Sequence, residues 1–274
     1  MTEFQRTRRV ICEAVTSGVT PCAVAEIGDA HGVVWQDAAG RLTGDASASA
    51  ASPAAVFDLA SLTKVLATTT LAMRLVDAAA LGLAMRVADV VPDWRGADRA
   101  KVTVADLLAH DSGLPAHAPL HRSCLAKQDF ERAICSTPLT HPPGSASVYS
   151  DLGFMLLGFV LERVAGAPLD SQFDGMCEAL QALHDGDQSA LTGANAEITF
   201  HLPAEWLARL APTRPRPAPP GLVHDENAAA EKSNGNCHRP ADDHGFPQSF
   251  ASAHRCVSTN AKHMLCGERQ ALGR

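Results

Sequence analysis

The alternation of apolar and polar positions changes period along this chain, and each change marks an element. Residues 4–16 predict an N-terminal helix. Two strand-like runs follow, CAVAEIGD (22–29) and GVVWQDAAG (32–40), parted by a short His-Gly turn, and together they read as a hairpin. The Ala/Ser stretch 46–55 reads as a loop leading to Phe57. From Ser61 the positions Leu62, Val65, Leu66, Leu71, Leu75 and Val76 predict a helix with one buried face. Thr103 and Asp106 form a capping box for the helix VADLLAH, with Gly113 as its expected stop. HPPG (141–144) is a turn, after which Ser150 or Asp151 caps the helix LGFMLLGFVLERVAG, ended by Gly166 and Pro168. AEITFHL (196–202) returns to strand. The order is a β-hairpin, a mainly helical middle over about 59–195 and a return to strand, with no internal repeat.

Composition narrows the class. The chain has 274 residues, 46% of them hydrophobic and 19% charged, an ordinary globular balance with ample core. Its net charge of −7 offers no basic footprint for nucleic acid and argues against an anionic membrane surface. The start, MTEFQRTRRVICEAV, lacks an apolar signal-peptide core, and FMLLGFVL (154–161) is too short to span a bilayer, so a soluble cytoplasmic protein is expected. The eight cysteines are scattered without a C-x-x-C pair and read mostly as buried thiols. PTRPRPAPP (212–220) is a polyproline-like connector, read as a surface loop. Residues 231–274 differ in composition, with Val257, Met264, Leu265 and Leu272 as their only aliphatic residues or methionines. Such a tail suggests a segment of different origin or a shifted reading frame, and it would struggle to bury a core.

Ser61 and Lys64 are the strongest chemical candidates. At a helix N-terminus, free N–H groups and the helix dipole favour negative charge developing on the serine oxygen. Lys64, three residues on, shares that face and can approach the hydroxyl. To act as a base it must lose its proton, and a third polar group normally completes such a site. Tyr149, the single tyrosine of the chain, is the candidate. Its phenol, with an ordinary pKa of about 10, needs a nearby cation such as Lys64 to work as a base. The alternatives are an ordinary helix start and a half-buried aromatic. His110 lies near the expected site mouth, where a capping or core role is favoured. The HDE of 224–226 has no P-C-x-x-C after it, against a zinc deaminase site. His224, Cys237, His238 and His244 match no established metal spacing, and there is no Gly-rich phosphate loop, so neither metal nor cofactor is expected.

FDLASLTK (57–64), VTVADLLAHDSGLP (102–115) and PPGSASVYSDLGFMLLG (142–158) resemble successive segments of the serine β-lactamase-like hydrolases. These include class C β-lactamases, penicillin-binding DD-peptidases and a group of carboxylesterases. GLVHDENAAA (221–230) resembles a further segment of some penicillin-binding-protein-like members, so the likeness covers roughly 5–230. The resemblance implies a β-lactamase/transpeptidase-like α/β (α+β) fold, with a helical subdomain beside an antiparallel sheet, as one domain over 1–230. It implies Ser61 as acylated nucleophile, Lys64 as proton partner and Tyr149 as general base, without cofactor or metal.

Two departures matter. The family's Tyr-x-Asn is here Tyr149-Ser150-Asp151. An amide at the third place donates to a substrate carbonyl, whereas a carboxylate only accepts, holds Lys64 protonated and repels anionic substrates. Asp151 is therefore a candidate substrate-binding residue that disfavours penicillin-like carboxylates, the alternative being a helix cap that points away. Secondly, the family's later Lys/His-Thr/Ser-Gly motif and final strands are not recognisable after Ala230. The sheet then looks incomplete, with an exposed edge and face. One oxyanion-hole donor is missing as well, which costs about 2.7–4 kcal/mol. The expected activity is acyl transfer to water from a small ester, amide, peptide or β-lactam through acyl-Ser61, with esters favoured. The alternative is a catalytically silent homologue or binding module.

Overall fold

A computed structural model describes residues 4–29, 32–120, 123–185, 198–211 and 257–258. The described residues divide into two compact units. The connector, the 221–230 segment, the four metal candidates and the tail apart from Val257 and Ser258 lie outside the described residues.

The first unit holds the described residues up to Leu59 and those from Cys177 onward. Helix α1 (Gln5–Thr16) packs on a hairpin of β1 (Cys22–Asp29) and β2 (Gly32–Gly40), as the periodicity predicts. Cys22 pairs with Gly40 at one end and Asp29 with Gly32 at the other, with an irregularity between Ile27 and Gly28. A second sheet is made of four very short strands: β3 (Val56–Asp58), β4 (Ile198–Thr199), β5 (Leu210–Ala211) and β6 (Val257–Ser258). They run in the order β4-β6-β3-β5. β6, from the 231–274 segment expected to lie outside the fold, pairs antiparallel with β3 and with β4, while β3 and β5 pair in parallel. Of the expected strand over 196–202, residues 196–197 lie outside the described residues, Ile198–Thr199 is strand, and the pairing stops there as the chain turns towards a 3₁₀ turn at Ala204–Arg209 that buries Trp206. Cys22, Leu42, Ala55 and Ala211 form a small apolar cluster here.

The second unit, described from Ala60 to Met176 without 121–122, is helical. Its axis is α6 (Asp151–Ala165), in which every residue from Leu152 to Leu161 is buried. A helix apolar all round must be enclosed on all sides. It packs against α2 (Thr70–Asp77), α3 (Val87–Val90), α4 (Val104–Leu108) and α5 (Lys127–Ser136). Its ends follow the sequence signals: Ser150 caps it by accepting the Gly153 N–H, and Gly166, at φ 69°, closes it left-handed. A further helix, α7, spans Leu169–Asp185. Among the described residues no single helix is long and apolar enough to cross a membrane. The described cysteines are free; Cys22, Cys124 and Cys135 are buried, and burial pushes the Cys135 thiol up to about 12.

Two expectations are corrected. The segment after Ser61 is π-helical over Lys64–Thr69, and its buried face is Thr63, Lys64, Ala67, Thr68, Leu71 and Ala72. Leu62 and Val65 are instead 50% and 58% exposed. The i→i+5 turn rotates the later residues off the 3.6 period, and the polar side chains turn inward. The capping box of α4 is formed as expected, but the helix is capped at Ala109, and the left-handed residue that closes it is His110 rather than Gly113. Gly113 serves a different need: at φ 86°, a Cβ there would lie 2.5 Å from the His141 carbonyl oxygen.

Candidate functional site

Ser61 follows Ala60, which holds a left-handed φ of 47°. Non-glycine residues rarely adopt this conformation, and such strain concentrates at functional positions. The sharp bend leaves Ser61 exposed at the start of the helical segment, with the Lys64 N–H donating to its carbonyl at 3.1 Å. The Lys64 side chain then folds back and is only 4% exposed. Its ammonium donates to Ser61 Oγ at 3.1 Å and to Asp151 Oδ1 at 2.6 Å. A buried ammonium requires a counter-charge, and Asp151, in the first turn of α6, is that partner. Ser150 does the capping, while Asp151 points into the site, so the reading of Asp151 as a cap turned away is overturned.

Tyr149 stands at the rim, 54% exposed. The Lys64 ammonium lies 4.9 Å from its ring centroid, a cation over an aromatic ring. Among the described residues no hydrogen bond joins the Tyr149 hydroxyl to Lys64. The expected charge is therefore near the phenol but on its ring.

The loop after α4 meets the approach to α6 along a series of hydrogen bonds. His110 O accepts from Val148 N–H (2.8 Å), and His110 Nδ1 accepts from Ser150 N–H (3.0 Å). Ser150 Oγ donates to Pro115 O (2.7 Å) and Asp151 N–H to Ala116 O (2.9 Å). The His110 ring also sits 4.6 Å from the Tyr149 ring and 4.7 Å from Phe154, centroid to centroid. The capping reading of His110 holds, the residue is half-buried rather than in the core, and its ring adjoins the site. Burial first, and the Lys64 charge second, pushes the His110 imidazole below its ordinary range.

His117 escaped the sequence reading. Its Nδ1 lies 3.9 Å from Asp151 Oδ2, on the side of the carboxylate away from Lys64. Its only signal was its place just beyond Pro115, in the loop that carries His110. Ser61, Lys64, Tyr149 and Asp151 are thus brought together, with His110 and His117 around them. Among the described residues no group of three metal-ligating side chains could hold an ion.

The chain is 35% identical over 130 residues to the N-acetylmuramyl-L-alanine amidase of Bacillus subtilis (strain 168), a match covering 42% of this chain and 29% of the relative. It is 34% identical over 128 residues to a putative D-alanyl-D-alanine carboxypeptidase of Escherichia coli (strain K12), covering 42% and 30%. The match thus spans less than a third of either curated relative. Among solved structures, the hydrolase EstCE1, which has promiscuous acyltransferase activity, aligns with a TM-score of 0.66 at 23% identity, over 94% of this chain and 69% of the other. A class C beta-lactamase aligns with a TM-score of 0.65 at 16% identity, over 94% and 61%. The fold is β-lactamase/transpeptidase-like. The family model for beta-lactamase matches residues 7–180, well over half of the sequence, and the chain belongs to that family.

Proposed function

We propose that this protein is a serine hydrolase that transfers an acyl group to water through an acyl-Ser61 intermediate, with neutral esters or amides favoured over anionic substrates. The observation that carries the reading is the Lys64 ammonium bridging Ser61 Oγ and Asp151 Oδ1. Ser61 Oγ attacks the carbonyl carbon as its proton passes to the Tyr149 oxygen acting as general base, while the Lys64 ammonium, bonded to Ser61 Oγ and lying over the phenol ring, supplies positive charge beside both. Collapse of the tetrahedral adduct expels the alcohol or amine, which takes the proton. Water then repeats the sequence and frees Ser61. The β-lactam, D-alanyl peptide and muramyl amide in the names of the relatives, and the acyl group that the EstCE1 hydrolase transfers, all contain such a carbonyl.

Asp151 sharpens the substrate class. Its carboxylate neutralises Lys64, so a substrate carboxylate meets an ion pair of near-zero net charge where an amide would leave a free cation. Restoring the amide is worth about 1–2 kcal/mol for an anion at short range, roughly 5- to 30-fold. The test is intact-mass spectrometry of acylation by a neutral ester and by an anionic β-lactam, in wild type, Ser61→Ala and Asp151→Asn. A single adduct should form, disappear in Ser61→Ala, and shift towards the β-lactam in Asp151→Asn. An unchanged ratio removes the role of Asp151. A second reading, a catalytically silent binding module, draws support from the missing hydrogen bond between Lys64 and the Tyr149 hydroxyl. Folded wild type that acquires no adduct from either reagent would establish it.

A further inference from the structure

We infer that His110 is a positioning residue for Tyr149, its imidazole and carbonyl fixing the phenol ring and the backbone on both sides of it. The inference rests on the proposed reading for the role of Tyr149, and its geometry stands on its own.

The starting point is the way α4 ends. The His110 N–H donates to Leu107 O at 3.3 Å and the Asp111 N–H to Asp106 O at 2.9 Å. These two bonds make a Schellman closure, whose left-handed residue is usually glycine. Here it is His110, at φ 61°. An L-residue with a Cβ is disfavoured in that conformation. Histidine tolerates this conformation better than most residues, and the side-chain contacts it makes from there are with Tyr149, Ser150 and Phe154.

The carbonyl of His110 receives the N–H of the residue before Tyr149, and Nδ1 receives the N–H of the residue after it. The backbone is therefore gripped at Val148 and Ser150. The ring lies against the Tyr149 ring, tilted by 38°, with Phe154 of α6 also in contact. Because a backbone N–H can only donate, Nδ1 must be the bare nitrogen, which makes His110 the neutral Nε2–H tautomer. Protonation would remove that acceptor and place a second cation beside Lys64. The groups around the imidazole are Lys64, Asp151, Tyr149 and Phe154, and burial with the Lys64 charge favours the neutral form. Among the described residues no hydrogen bond reaches the half-exposed Tyr149 hydroxyl. The orientation of the phenol over Lys64 is left to the His110 ring, the gripped backbone and the ammonium itself.

The test uses the single tyrosine of the chain. Full-length protein labelled with 3-fluorotyrosine gives one ¹⁹F resonance, which reports Tyr149 whether or not the protein turns over any substrate. In wild type this resonance should be shifted from its denatured position and should move in one step as a single imidazole titrates, below the ordinary histidine range. In His110→Gly, which removes the ring and relieves the backbone, the step should vanish and the line should approach the denatured position, while the circular dichroism stays native. In His117→Asn the step should persist. Should His110→Gly fail to fold, His110→Asn, whose side chain tolerates the left-handed backbone, reads the same loss. A wild-type resonance without the step, or a step that survives in the folded His110 variant, would overturn the inference. Where acylation is measurable, His110→Gly should slow it about tenfold and leave KM unchanged. Loss of the ¹⁹F step without any acylation in wild type would retain the positioning role and reject the hydrolase reading.

Discussion

The helical unit and the strand-bearing unit are organised on different principles. In the helical unit ten consecutive residues of α6 are buried, and its start and stop are written within the same short stretch, at Ser150 and Gly166. In the other unit the four-stranded sheet joins residues near 57, 198, 210 and 257 through strands of two or three residues. A helix closes its hydrogen bonds locally, whereas a sheet depends on partners far along the chain. The enclosed unit has a deep core and carries the candidate site. The other buries a cluster of four small or medium side chains, with Val56, Phe200 and Trp206 besides.

That contrast sets the scale of substitution effects. Leu156→Ala, at a position with no exposed surface in α6, should cost about 2–5 kcal/mol, read by urea unfolding. Val34→Ala on β2, where the side chain is 55% exposed, should stay within about 0.5 kcal/mol. Equal losses from the two would erase the distinction between the units. Ser150→Ala comes next, at about 1 kcal/mol, because it removes the cap of α6 and the bond to Pro115 O. Its sharper consequence is at the site, since that bond helps fix the loop bearing His110 and His117. The ¹⁹F resonance of Tyr149 should shift while the unfolding stays cooperative.

The smallest effect concerns pH. Burial and the nearby Asp106 charge hold the Asp111 carboxyl above its ordinary range. A group raised on folding binds its proton more tightly in the native state, so its contribution is full below the ordinary carboxyl value. It is lost as pH rises from that value through the folded one. At neutral pH the ionised Asp111 is therefore a burden. Asp111→Asn should raise Tm by about 1–2 °C at pH 7 and leave it unchanged near pH 3. A rise of the same size at both pH values would assign the effect to packing.

Much of this was legible in the sequence where signals are local. The hairpin, the capping box at Thr103 and Asp106, and both ends of α6 appear where periodicity and capping residues put them. The segment after Ser61 was misread because a 3.6 period was applied to a π-helical turn, and because Lys64 is buried by a partner 87 residues away. The identities of Ser61, Lys64, Tyr149 and Asp151 stood out in short motifs, and the carboxylate at 151 already implied an interaction with Lys64, but the depth at which that pair is buried did not show. Nothing in the sequence set His117 apart, since its relation to Asp151 exists only once the loop after α4 has folded against α6. The left-handed cap was expected at Gly113 because glycine is the usual choice, and His110 displaced it.

The buried run of α6 begins at Leu152, one residue after the carboxylate that meets Lys64. Aspartate and asparagine have nearly the same shape, and their codons differ by a single nucleotide. A lineage can therefore exchange charge for amide at position 151 while the rod behind it keeps every packing contact. On the proposed role of Asp151, the residue that would set substrate charge thus stands directly beside the residues that hold the core, and exchanging it leaves the buried run from Leu152 untouched.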